Sequence, residues 1–177
     1  MIDRFYKEYQ IPISENELSQ LKEALKDIFI KNCRVYQDAL FLLNYCKNNG
    51  IKTGLVIDGT KKRENKILDT YNLRQYFNEI IISEEVGKSK LTPEPLRACV
   101  EKLKQKFAFL PENVLVIGDR IDKDIIPAKE LGFHTALLHR EDTLSVHVPK
   151  EDKEYPTYTI KSLHEIQQLL EKEARMK

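Results

Sequence analysis

The run Val114-Leu115-Val116-Ile117-Gly118-Asp119 ends in a carboxylate, and a second carboxylate follows at Asp124. Its four apolar residues, mostly β-branched, read as a strand buried on both faces, the habit of parallel sheets. Ile125, Ile126, Ala128 and Leu131 then take up helical spacing before Gly132. Two carboxylates therefore stand at the carboxyl edge of a parallel strand, where open α/β sheets bind ligands. A second acidic turn, Asp58-Gly59-Thr60, follows a shorter strand pattern and can cap a helix starting at Lys61.

The elements that must position these groups are legible in outline. Residues 1–34 read as helical, with Pro12 as a break and Ser14 with Glu17 as a capping box. Leu18, Leu21, Leu25, Ile28 and Phe29 mark one face of that helix. Residues 35–49 form a second amphipathic helix, and Gly50 is its stop. Strands are expected at 53–57, 79–82, 113–117 and 135–138, with an edge strand at 157–160. Helices are expected at 61–71, at 93–106 with Thr92 as cap, and from Ser162 to about residue 172. This alternation predicts an α/β fold with a doubly wound parallel sheet. The division expected is a helical segment, 1–50, ahead of an α/β core, 51–177.

Composition narrows the function classes. The 177 residues are 41% hydrophobic and 32% charged, which is globular rather than disordered. A net charge of +1 gives no field that draws in nucleic acid or an anionic membrane. Lys61, Lys62, Arg63 and Lys66 read as a solvated helix face. Cys33, Cys46 and Cys99 form no metal-type pair, and Cys46 and Cys99 fall on apolar helix positions. The odd count, the lack of a bilayer-length apolar run and the charged N-terminus favour the cytoplasm. His134 and His139 flank a strand and read as surface or rim groups.

From about residue 36 to residue 170 the chain resembles the haloacid dehalogenase-like hydrolase superfamily. Residues 50–60, ending Leu55-Val56-Ile57-Asp58-Gly59-Thr60, resemble that family's second-motif strand. Lys90, shortly before Pro93-Glu94-Pro95, is similar to its third motif. Gly118-Asp119 with Asp124, ahead of a helix ending at Gly132, is similar to its fourth. The order and spacing of the three carry the resemblance together.

The resemblance implies that Asp119 and Asp124 hold a Mg²⁺, which takes hard oxygen ligands and few protein carboxylates. The ion would clamp a phosphate oxygen and offset transition-state charge. It implies that Lys90 serves the same pocket as a catalytic group, with Lys88 as its rival, and that Asp58 and Thr60 face the phosphate. Other readings stand beside these. Asp119 or Asp122 can cap the following helix, Asp124 suits a first-turn dipole, and Lys90 can be a surface lysine.

Family members carry a nucleophile and a general acid/base in D-x-D-x-T on their first strand, and that motif is missing here. Asp3 has Phe5 two residues on, and Asp58-Gly59-Thr60 would put the nucleophile on Val56. Ile57 stands where the family places Ser or Thr. The neighbouring Asp58 repels a phosphate by about 4 kcal/mol at about 4 Å and an effective dielectric of about 20. Thr60 is three residues out of register for the missing hydroxyl.

The missing strand would be central, between the second- and fourth-motif strands. It would supply about five ladder bonds of about 1 kcal/mol each, besides its apolar burial. The gap is expected to close by direct pairing of its flanks, by insertion of residues 1–13, or by a strand from another chain or copy. The function expected is a phosphomonoester hydrolase acting on a small phosphorylated metabolite, inactive or weak alone unless another segment or chain supplies the nucleophile. The alternative is a non-catalytic interaction or regulatory protein on the same scaffold. A receiver-like or nucleotide-binding module fits less well, since no glycine-rich phosphate loop is present.

Overall fold

The computed structural model describes residues 6, 8, 9, 12–140 and 149–175. The chain divides into two compact units, Met1–Arg34 and Val35–Lys177. The first holds α1 (Glu15–Asn32). Its capping box forms: the Glu17 N–H donates to Ser14 Oγ at 3.3 Å, and the Ser14 N–H donates to the Glu17 carboxylate at 2.9 Å. Most of residues 1–13, expected as one way to close the sheet, lie outside the described residues.

The second unit begins with α2 (Gln37–Asn48), β1 (Gly54–Ile57), α3 (Lys61–Thr70) and β2 (Glu79–Ile82). The one-turn α4 (Ser83–Val86), α5 (Glu94–Lys104) and β3 (Leu115–Gly118) come next. A π-type turn (Ile121–Ile125) leads into α6 (Ile126–Glu130), β4 (His134–Leu138), β5 (Tyr158–Ile160) and α7 (Leu163–Arg175). The strands fall within a residue or two of their expected places. The start of α5 differs. Thr92 does not cap it, because the Thr92 hydroxyl donates to the Ser89 carbonyl at 3.1 Å and Pro93 leads in instead.

Every strand pair is parallel. Helices cover both faces, so the architecture is the α/β, doubly wound type that the alternation of elements predicts. Among the described residues the strands form two separate sheets, β1-β2 and β3-β4-β5. β1 and β3 do not pair with each other, so direct pairing is not how this fold treats the gap. The reason lies in α5. Cys99 and Leu103 pack with Val56 and Ile81 of the first sheet, while Val100 and Leu96 pack with Val114 and Val116 beside the second. One helix seats on both sheets, and a helix about 10 Å across spans roughly two strand spacings of about 4.8 Å.

The opposite face of the larger sheet is covered by α2 and α7. Leu42, Cys46 and Ile166 pack there with Leu115, Ile117 and Ala136. From Val114, just before β3, onward, successive residues thus point to opposite layers, Val114 and Val116 to α5 and Leu115 and Ile117 to α2 and α7. β2 and β4 contain buried residues, but every residue of β3 is only half-buried and Gly54 of β1 is exposed. Among the described residues no helix is long and apolar enough to cross a membrane.

Candidate active site

Both acidic turns lie at the carboxyl edge. Asp119 follows β3, is exposed, and makes no hydrogen bond or ion pair with another described residue. The π-type turn swings Asp124 back to the strand end, with the Asp124 and Ile125 N–H groups both donating to the Arg120 carbonyl, at 2.8 and 3.3 Å. Asp124 is 5% exposed. Its Oδ2 accepts from the Arg120 N–H at 3.0 Å, and its Oδ1 stands 2.5 Å from Lys90 Nζ. Gly118 permits this packing, since a Cβ there would overlap the Asp124 carboxylate.

On the β1 side, Asp58 Oδ1 accepts from the Lys90 N–H at 2.7 Å, and Oδ2 accepts from Lys123 Nζ at 2.7 Å. Partial burial pushes the Asp58 carboxyl up, but Lys123 and the Lys90 N–H outweigh it and hold the group below the usual range. Asp58 is therefore ionised and has no proton to give a phosphate oxygen. Thr60 Oγ accepts from the Arg63 N–H at 3.4 Å as the cap of α3. Lys88 is exposed, whereas Lys90 is drawn between the two acidic turns.

Lys123 is the group that sequence reasoning missed. Its partner Asp58 lies 65 positions away, and no local spacing announces that. Asp122, expected as a possible helix cap, pairs with Arg120 through two contacts, at 2.8 and 2.6 Å, and its side chain stays exposed.

A cavity of about 1160 Å³ runs between β1 and β3. Lys90, Asp119, Lys123 and Asp124 line one end of it. The donor set there suits a hard cation in kind: Asp124 is packed where a Cβ would sit at Gly118, and Asp119 is unengaged. Among the described residues no three His, Cys, Asp or Glu side chains gather as a ligand cluster. Any ion held here would take these two carboxylates and complete its shell from elsewhere.

The profile of the haloacid dehalogenase-like hydrolase family matches residues 1–138. The chain belongs to this family. Among its relatives, a glyceraldehyde 3-phosphate phosphatase of Methanocaldococcus jannaschii is 33% identical over 133 residues, 75% of this chain and 55% of that protein. The pyrimidine 5'-nucleotidase YjjG of Escherichia coli is 31% identical over 159 residues, 87% of this chain and 64% of that one. The chain thus spans between half and two thirds of the length of these two relatives. Solved structures agree on the haloacid dehalogenase-like fold. The putative hydrolase YfnB of Bacillus subtilis, described as bound to magnesium, superposes with a TM-score of 0.73 at 23% identity, over 93% of this chain and 67% of that one. A putative β-phosphoglucomutase of Thermotoga maritima gives 0.76 at 20% identity, over 96% and 76%.

Proposed function

We propose that this chain is the metal- and phosphate-holding part of a phosphomonoester hydrolase and that it turns over poorly by itself. The observation that carries the reading is the pairing at the carboxyl edge of an unengaged Asp119 with an anchored Asp124. A relative named as a phosphatase and one named as a nucleotidase support it. Asp119 and Asp124 would hold Mg²⁺, which supplies Lewis-acid offset of charge on a phosphate oxygen. Lys90 fixes Asp124 and adds positive charge at the same mouth. Asp58 serves by holding Lys123 and the Lys90 backbone in place, and Thr60 opens α3 with its hydroxyl proton still available to an anion. The sequence carries no D-x-D-x-T, the pattern in which family members hold the nucleophile. Covalent phosphoryl transfer then needs an acid from outside this set. Among the described residues Cys33, Cys46 and Cys99 form no disulfide, which supports a cytoplasmic setting.

The test is hydrolysis of p-nitrophenyl phosphate with and without Mg²⁺, by the chain alone and mixed with an N-terminal fragment of a phosphatase relative. Weak turnover alone, a metal-dependent gain with the fragment and its abolition by Asp119→Asn are expected. Brisk turnover alone would overturn the claim of weakness. None with any fragment would favour a non-catalytic interaction protein.

A further inference from the structure

We propose that Lys123 is a phosphate-binding residue, its ammonium serving where Ile57 offers no hydroxyl. The inference rests on the reading of this site as that of a phosphomonoester hydrolase and adds the group that receives the phosphate beside β1.

The carboxyl end of β1 is short of donors. The Ile57 side chain has none. Past it, the Gly59 N–H is spent on Ser83 Oγ at 3.1 Å, and the Lys61 N–H on the Glu84 carboxylate at 2.8 Å. Thr60 lies at the exposed start of α3, where its oxygen caps the Arg63 N–H. The Lys90 N–H donates to Asp58. As a carboxylate, Asp58 offers an anion only acceptors and a like charge.

A cation from the other strand changes that balance. Lys123 reaches across from the π-type turn after β3, and its Nζ lies 2.7 Å from Asp58 Oδ2. It lines the same end of the cavity as Lys90, Asp119 and Asp124. An ammonium carries three N–H donors. Asp58 is its one hydrogen-bond acceptor among the described residues, so two donors are left for a ligand. Lys90 differs, because its Nζ stands 2.5 Å from Asp124 and is committed to holding that carboxylate.

The pair with Asp58 therefore does two things at once. It offsets the charge that would repel a phosphate, and it holds an ammonium at the end of β1. A lysine binds phosphate as a point charge, which demands no fixed fork of donors. The Lys123 side chain is 29% exposed, so an anion can reach it while part of the solvent screening is removed. Two ammonium groups at one end of the cavity favour a doubly charged phosphoryl group over a singly charged diester.

The probe is inorganic phosphate, titrated by calorimetry at pH 8 into the purified 177-residue chain and two variants, with and without Mg²⁺. Lys123→Met should weaken binding by about ten-fold or more. Asp58→Asn should bind phosphate at least as tightly as the unaltered chain, since it removes a negative charge and leaves the ammonium. That sign separates a ligand-binding lysine from a mere clip, for which loss of either partner would weaken the site alike. Unchanged binding in Lys123→Met, or any weakening in Asp58→Asn, would overturn the proposal. Melting temperatures check that each protein is folded during the titration. A further measurement needs no variant. Saturating phosphate should slow acetylation of Lys123 several-fold in the unaltered chain, read by mass spectrometry, and leave the exposed Lys102 unaffected. Equal labelling of Lys123 with and without phosphate would also overturn the proposal. If the unaltered chain binds no phosphate even with Mg²⁺, the proposed function fails and this inference with it. If it binds phosphate and Lys123 proves indifferent, this inference alone fails.

Discussion

Lys123 Nζ lies 2.7 Å from Asp58 Oδ2 and so ties together the ends of two strands that share no hydrogen bond. Both side chains are less than a third exposed, at 29% and 23%. Lys123→Met should therefore cost about 1–2 kcal/mol, since it leaves a half-buried carboxylate short of a donor. The sign of its pH dependence follows from the lowered Asp58 value. The contribution is complete above the ordinary carboxylate range near 4 and is lost as pH falls through the depressed folded value. Urea titrations of both proteins should differ at pH 7 and converge in strong acid.

A stronger acid-sensitive tie sits at the start of α2. Burial pushes the Asp38 carboxyl up, but Arg140 opposes it through two contacts of 2.9 Å. The Leu163 N–H at 2.9 Å and the Ser162 hydroxyl at 3.1 Å add to Arg140, and together they bring it down to about 2. Asp38 is only 8% exposed, so little is lost to solvent screening. The depression is worth about 2 kcal/mol, fully present above about pH 4 and fading as pH falls toward 2. Asp38→Asn should lower stability by about that amount at pH 7 and flatten the acid limb of a stability–pH curve.

Gly118→Ala puts a methyl group into the Asp124 carboxylate. The expected cost is about 1–3 kcal/mol of overpacking. Mg²⁺ affinity, followed by titration calorimetry, should fall with it. A variant that keeps full affinity would argue against Asp124 as a ligand.

Cys99 is 3% exposed, and burial pushes its thiol up to about 11. At pH 8 about one molecule in a thousand then carries the thiolate. Alkylation of Cys99 should be slow in the folded protein and rapid in urea, read by mass spectrometry of the modified peptide. Its sulfur also lies 2.6 Å from the place of a Cβ on Gly54. Gly54→Ala should thus destabilise, and adding Cys99→Ala should restore part of the loss.

What the sequence disclosed was local. The apolar runs before Gly118 and Asp58 placed β3 and β1, and Ser14 with Glu17 marked the start of α1, because those signals lie within one turn or one strand. The cap of α5 misled by one residue, since Thr92 had a competing acceptor in the Ser89 carbonyl. Lys123 with Asp58 and Arg140 with Asp38, 65 and 102 positions apart, left no periodic trace. The width of the gap was hidden for a related reason. Only the folded helix shows that Cys99 and Val100, neighbours in the chain, rest on different sheets.

That division of labour within α5 bears on how the molecule comes apart. Among the described residues the β1-β2 half and the β3-β4-β5 half have no continuous ladder through which disruption of one propagates to the other. The larger half also owns the contacts of α2 and α7. Heating should then release the smaller half first, as a separate cooperative block, leaving a calorimetric enthalpy that exceeds the van't Hoff value.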